Sequence, residues 1–565
     1  MTPADFRKIF EAHNNYWDTQ RHEMRRLRNA YATRYWHKSI QPEQVTVEVS
    51  RAYEYIEGYV SSLFSRNPSV VVKADLRGRG TPAKVQSLCN EFLTRCRAQL
   101  EDATRLALIY PCSFLKLSYS ESSDPFRRVD TTAVAPWDVL VDLDGNSWET
   151  QKFVAHRYYI TQDEAKARYG NKRFATKNIV RYLDQGTEAN DRNMFKNYNA
   201  AKDESTSEIF QFVEIVELYD LTNNRFFIWS PDWKAGDRWL KDGVEVVVGE
   251  GEDQHTEKFN DIPFQNANGL PLVPIIPLYY SRMPDLPLRG YSALRRVYDQ
   301  IQETNIIRTY QAMMVRRAAR QWVIVKGIFS DESLSKIAQG NDGEFVEVDL
   351  NPGEQLAGSI MAIPHHPVPA ELQSYIQQVG DDLSRGSVMA PFTRGEATKA
   401  TATEITALAA YTSTEVGRLA RERDAAIEQM AEVYTSMMRT FLGEDADIIL
   451  LNGQPETIQE TDLDGNFGYF AQDSGATPIS DALQKQEFLA TVPLLQQLGV
   501  APEQILKELV RLYDLPESLL PEAVQSTDAE RPQPSAVGVG GQPTAPPEAT
   551  IMRSASPENI RSVLP

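Results

Sequence analysis

Cysteine is scarce. Three occur in 565 residues, which excludes a disulfide scaffold. Cys89 and Cys96 stand seven apart in a helical pattern, and Cys112 follows Pro111. All three read as reduced core residues rather than redox or metal ligands. Long apolar runs are missing as well. The longest, Leu272 to Tyr280, is broken by Pro274 and Pro277 and falls far short of the ~20 residues of a membrane span. The N-terminal stretch MTPADFRKIFEAHNNYW is amphipathic and lacks the apolar centre of a secretory signal. A soluble chain made in a reducing compartment is expected.

Catalytic signatures are absent too. There is no G-x-x-x-x-G-K-[ST] phosphate loop, no H-E-x-x-H, no G-x-S-x-G and no C-x-x-C. DLDGN occurs at 142–146 and 462–466, but the sixth and twelfth positions of a calcium loop hold Ser147 and Phe153, then Phe467 and Asp473. Tight turns are the better reading. His365 and His366 are adjacent, so on an extended chain they point to opposite faces and do not share a metal. No catalytic residue, metal or cofactor is expected.

Positive charge is in deficit. Lys and Arg total 59 against 78 Asp and Glu, a net charge of −19. Such a surface does not grip nucleic acid throughout, because phosphate binding needs clustered Lys and Arg. Two local exceptions stand out. The helix expected at 4–36 carries Arg21, Arg25, Arg26, Arg28 and Arg34, a solvated or interface face rather than a DNA contact. The helix expected at 291–319 lies in a stretch with Arg289, Arg295, Arg296, Arg308, Arg316, Arg317 and Arg320 against Asp299 and Glu303. Those arginines suit a neighbouring subunit's carboxylates, or a phosphate backbone.

What is present is a distinctive order of elements. Ser50 is a candidate N-cap for a helix running to Ser65, and Val70–Val72 reads as a strand. Pro82 opens a third helix reaching about Tyr110. Residues 113–280 are strand-rich, with 171–209 a polar surface insertion. On helix 291–319, Leu294, Val297, Ile301, Ile306, Ile307, Tyr310, Met313 and Met314 form the buried side. WVIVKGIF (322–329) reads as a strand, 331–354 as an acidic, turn-rich stretch with a second strand at 344–350, and 367–386 as helix. Residues 387–400 read as a loop. The helix after it steps by three or four from Ile405 to Phe441, about 70 Å when measured from Glu396. Two short strands are expected in 447–472 and helix in 480–525. The tail 526–565 is Pro- and Gly-rich and is expected to be disordered.

Four stretches in this order resemble the portal proteins of tailed bacteriophages, the head-to-tail connectors. They are SRAYEYIEGYVSSLFSRNPSVVV (50–72), VAPWDVLVDLDG (134–145), PLRGYSALRRVYDQIQETNIIRTYQAMMVRRAARQWVIV (287–325) and ATKATATEITALAAYTSTEVGRLARERDAAIEQMAEVY (397–434). The resemblance covers roughly residues 1–520. It implies an α+β, portal-type fold with a mixed wing at 1–288 and a first stem helix at 289–319. A small β-containing clip follows at 320–366, then a second stem helix at 367–388. Residues 389–478 hold the tunnel loop (about 387–403), the long wing helix and further wing strands, and 479–525 form a helical crown. The long tail after the crown departs from the family's pattern.

By the same resemblance the chain forms a dodecameric ring at one capsid vertex of the virion, after synthesis in the host cytoplasm. Double-stranded DNA passes through it during packaging and ejection. Its partners are major capsid and scaffolding proteins, the terminase large subunit, then adaptor and tail proteins. Arg394 and Lys399 are the loop residues placed to touch DNA weakly; Asp331, Glu332, Asp342 and Glu344 are the clip residues facing terminase or adaptor. The alternative is another virion structural or head-tail joining protein without enzymatic activity. A DNA-acting enzyme is the contrasting class, and ATP hydrolysis by the pure protein is its mark.

Overall fold

The computed structural model describes, isolated positions aside, residues 1–34, 46–74, 80–119, 128–177, 211–233, 238–248, 255–283, 290–318, 322–324, 330–339, 360–362, 370–386, 402–442, 447–472 and scattered positions from 488 to 509. The chain divides into two units, Met1–Ala482 and Leu483–Pro565. In the second, the described positions are helical, with Ile505 buried and Leu489 half-exposed. The tail expected at 526–565 lies outside the described residues, as does most of 171–209.

The first unit is mixed α and β, and each described strand pair is antiparallel. Helix α1 (Pro3–Tyr31) begins where Thr2 Oγ1 accepts the Asp5 N–H and Pro3 supplies a preset φ. It stops five residues short of the expected end. Thr33 turns left-handed at φ 54°, and the Arg34 N–H returns to the Asn29 carbonyl. Helix α2 (Arg51–Leu63) follows Ser50, but Ser50 does not cap it: the hydroxyl donates to Glu54 instead. The single helix expected from Pro82 is two, α3 (Pro82–Arg95) and α4 (Arg97–Ile109). Between them Cys96 has ψ 4°, and the turn aims both apolar stripes, Val85–Phe92 and Leu100–Leu108, into one core.

The strands run β1 (Val70–Ala74), β2 (Ser113–Tyr119), β3 (Val129–Val134), β4 (Val139–Val141) and β5 (Phe153–Thr161). After α5 (Gln162–Tyr169) come β6 (Phe212–Asp220), β7 (Arg225–Trp229), β8 (Lys241–Asp242), β9 (Val244–Val248), β10 (His255–Phe259) and β11 (Ile275–Leu278). Within the strand-rich stretch Pro136–Asp138 make a 3-10 turn just ahead of β4. Strands β4-β5-β6-β7-β8 form one sheet and β11-β2-β3 another.

Alternation of side chains explains how these sheets stack. Phe153, Ala155, Val216 and Leu218 point to one side of the larger sheet, where Phe6 and Phe10 of α1 set their rings edge-on to Trp229. Val154, Val213, Ile215 and Ile228 point to the other side and meet Phe114, Val134 and Ile275 of the smaller sheet. The far face of that smaller sheet (Leu115, Leu117, Ile276, Leu278) packs on the helices. The layers are therefore helix, five strands, three strands, helices.

Next come helix α6 (Ala293–Ala318), strand β12 (Trp322–Ile324), helix α7 (Asp331–Gln339), strand β13 (Ile360–Ala362) and helix α8 (Ala370–Gly386). The stretch read as turn-rich thus contains a helix. Ser330 Oγ accepts the Ser333 N–H, and Asp331 and Glu332 occupy the first turn, where the helix dipole favours them. Strand 344–350 lies outside the described residues. Helix α9 (Ala402–Leu442) has 41 residues, about 60 Å. Val416, Leu419, Ile427, Met430, Tyr434 and Met437 are buried against α2, α3 and the smaller sheet. Strands β14 (Asp447–Leu451) and β15 (Gln454–Ile458), the short helix α10 (Glu460–Leu463) and strand β16 (Phe467–Ala471) follow. The two strands expected here are three, and β16 pairs with β1 rather than with its neighbours.

Candidate functional site

Helix α6 starts at a tight joint. Gly290 has φ +55°, Ser292 Oγ accepts the Arg295 N–H at 3.1 Å, and the same hydroxyl donates to the Ile109 carbonyl at 2.7 Å. The first half of α6 is core: Leu294, Val297, Tyr298 and Ile301 are buried. Two buried polar residues then hold an extended strip of chain along the helix. Asn305 Oδ1 accepts the Val49 N–H at 2.9 Å, and Thr309 Oγ1 accepts the Val47 N–H at 3.0 Å. Beyond Thr309 the helix leaves the core. Tyr310 is 55% and Met314 43% exposed, against the sequence expectation that both are buried. The apolar pattern there is real, but nothing in this chain covers it among the described residues.

Helix α8 packs beside α6, and strands β12 and β13 pair antiparallel at their base, Trp322 opposite Ala362. Tyr375, 44% exposed, donates its hydroxyl to Glu303. A cleft of about 400 Å³ opens between the two helices and the strip before α2; Val49, Ile307, Ile376, Val379 and Leu383 line it, with Arg51, Arg308 and Asp381 among them.

The arginines of α6 divide. Arg295 is held by Asp299 at 2.9 Å and Glu23 at 3.0 Å, and Arg296 donates to Ser281. Arg308 is exposed and makes no ion pair among the described residues. Arg289 and Arg320, with the side chains of Arg316 and Arg317, lie outside the described residues. On α1, Arg21 pairs with Asp18, and Arg26 stacks 4.7 Å above the Tyr298 ring of α6. The basic face is thus partly turned inward.

Of the residues singled out from the sequence, Asp331 and Glu332 are exposed at the start of α7, where Glu332 meets Lys336 at 3.0 Å. Asp342, Glu344, Arg394, Lys399, His365 and His366 lie outside the described residues. At the first DLDGN the Gly145 N–H donates to the Asp142 carbonyl at 3.1 Å. In the second, Asp462 closes a capping box with Gln459 and also accepts from Thr81 and Lys84. The three thiols are free and buried. Burial pushes Cys89 and Cys112 up to about 12 and Cys96 up to about 11.

Sequence reading missed a buried charge network. Arg157 (3% exposed) reaches Asp138 at 3.1 Å, Asn14 at 2.8 Å, the Trp137 carbonyl at 2.6 Å and Glu214 at 3.6 Å. Lys177 pairs with Glu214 and with Asp232. Burial drives the Asp138 carboxyl up to about 6 against the pull of Arg157, and burial beside Arg157 drives His13 down to about 3. A second group, Lys116 on β2 with His156 and Glu217 on β5 and β6, ties the two sheets together. The available signal was a charged residue inside each apolar strand. These contacts join α1 to one sheet and one sheet to the other.

No helix among the described residues is long and apolar enough to cross a membrane. No protein-family model matches the chain, and neither does any curated protein.

Proposed function

We propose that this chain is a portal-type connector: a subunit of a ring at one capsid vertex, the channel for double-stranded DNA and the docking site for terminase and then adaptor and tail. The observation that carries the reading is the pair α6 and α8. Two helices far apart in sequence pack together, and the segment between them starts and ends in paired strands with helix α7 inside. That is the stem-and-clip order of the resemblance. Helix α9 follows and returns to the core, as the long wing helix does in that order.

The electrostatics are compatible with a passage rather than a grip. A subunit of net charge −19 repeated around a ring presents a repulsive wall, and DNA must slide. In this reading Arg394 and Lys399 touch phosphate at one level. The clip residues Asp331, Glu332, Asp342 and Glu344 face the motor during packaging and the adaptor afterwards. The chain needs no catalytic residue for this; its work is geometric.

Electron microscopy of the purified protein, alone and co-expressed with scaffolding protein, tests the reading. Closed rings with a hole wide enough for duplex DNA are expected. Absence of rings in both preparations, together with labelling away from a single capsid vertex in virions, overturns it.

A further inference from the structure

One polar cluster lies inside the apolar contact of the two sheets. His156 follows Val154 by two residues and Lys116 follows Phe114 by two, so both side chains enter the space between the sheets. Lys116 Nζ stands 3.0 Å from His156 Nδ1, 2.5 Å from Glu217 Oε2 and 5.1 Å above the Tyr158 ring. An ammonium has protons to give and no lone pair, so His156 Nδ1 accepts and the ring proton sits on Nε2. The bond therefore exists only while His156 is neutral. Its surroundings keep it so. From β2 it faces Lys116. Its register partner on β6 is Glu217, whose carboxylate Lys116 already holds, and its partner on β4 is the uncharged Val139. Within β5, Arg157 follows it and the Tyr158 ring stacks on it at 5.5 Å, with Tyr169 beside Tyr158 and Tyr219 beside Glu217. Burial, then Lys116 and Arg157, hold the imidazole well below its ordinary pKa.

We infer that the contact between the two sheets is an acid-released latch, closed by Lys116, His156 and Glu217 and opened with uptake of one proton by His156. Closed, the imidazole must stay neutral beside Lys116. Open, it is solvated and takes its proton at about pH 6.5. Acid thus favours the open form before the closed form itself titrates, by about tenfold per pH unit below that value. The sheets can part without loss of the remaining core, because the helices hold the smaller one separately through Leu115, Leu117, Ile276 and Leu278. The latch operates in a single chain, whatever that chain assembles into.

Cysteine labelling tests it. Cys112 lies in the core between the sheets, whereas Cys89 and Cys96 lie in the helical core, against Thr435 of α9 and Thr131 on the far face of the smaller sheet. The full chain is treated with a dithiodipyridine, which reacts with thiols in mild acid, and each rate is normalised to a free thiol at the same pH. From pH 7 to pH 5 Cys112 is expected to label on the order of tenfold faster or more, with Cys89 and Cys96 unchanged. His156→Gln, which still offers Lys116 an amide oxygen, is expected to lose that rise. Should it fail to fold, Lys116→Met serves instead: without the cation the imidazolium pairs with Glu217 in the closed form, and the rise is again lost. A Cys112 rate that does not change with pH, three thiols rising together as in global unfolding, or a rise that survives in the folded variant overturns the inference.

Discussion

The α-carbon of Gly290 faces the carbonyl of Pro111 so closely that any side chain at 290 overlaps it. Pro111 ends the run after α4, and Gly290 starts the run into α6, so this contact fixes where the two helices meet. The position is doubly restricted, since φ is +55° and an L-residue there costs about 1–2 kcal/mol before any overlap. Gly290→Ala is expected to destabilise by more than that, by several kcal/mol. Gly269→Ala, also at positive φ but facing open space, is expected to cost only about 1–2 kcal/mol. Chemical denaturation of the two variants side by side checks the difference; equal losses refute the overlap.

Gly417 gives the opposite case. It lies within α9, and a Cβ there meets nothing within 4 Å. Gly417→Ala is expected to stabilise by about 0.5–1 kcal/mol through helix propensity alone. A raised midpoint of thermal unfolding is the readout.

Stability is expected to fall on acidification below about pH 6.5, and His13 is one cause. Its folded-state pKa is lowered to about 3 by burial and by Arg157. The folded state therefore holds His13 neutral, and the stabilisation present above the unfolded pKa is lost as pH falls toward the folded value. Asp138, raised to about 6, acts with the opposite sign: it favours the folded state as pH falls from 6 toward 4. The histidine's slope begins at higher pH, while between about pH 6 and 4 the two, each about 1.4 kcal/mol per pH unit, nearly cancel, so their sum is a shallow fall with its steeper part above pH 6. His156, also held neutral by burial and Lys116, adds to it. In denaturation midpoints measured from pH 7 to 4, His13→Gln is expected to flatten the profile; an unchanged slope refutes the assignment.

Removing Arg157 strands the Asp138 carboxylate and leaves Glu214 to Lys177 alone. Asp138 and Glu214 both lean on its guanidinium, and Glu214 is only 4% exposed. Arg157→Met is expected to cost about 3–5 kcal/mol, the range for breaking a buried ion pair from one side. Adding Asp138→Asn to that variant is expected to recover part of the loss. A double-mutant cycle by denaturant unfolding checks both signs.

The strand-rich character of 113–280 was legible: the near-continuous apolar and β-branched runs in 153–160 and 212–220 suit strands buried on both faces, and the stripe from Val416 to Met437 marks a helix against a core. Other features depend on context that no local pattern carries. Cys96 breaks a helix because two apolar stripes must converge, not because cysteine is a helix breaker. The pairing of Val70 with Ala471 joins residues at opposite ends of the unit. Tyr310 and Met314 keep a buried-looking period where the chain's own core has ended. For the candidate site, periodicity showed which residues of α6 are apolar, but whether they face the core or a neighbour is decided by what packs beyond Thr309.

The two-stranded sheet of β1 and β16 shows how such a surface is kept selective. Asn90 and Gln86 on α3 accept the outward N–H groups of Val70 and Val72, and Glu428 on α9 accepts that of Ala471. Helix side chains thus stand in for the missing neighbouring strands. An open strand edge is a template for any extended chain that drifts past. With these three outward donors already engaged, the sheet is a weaker template for strand stacking, even where many copies crowd together.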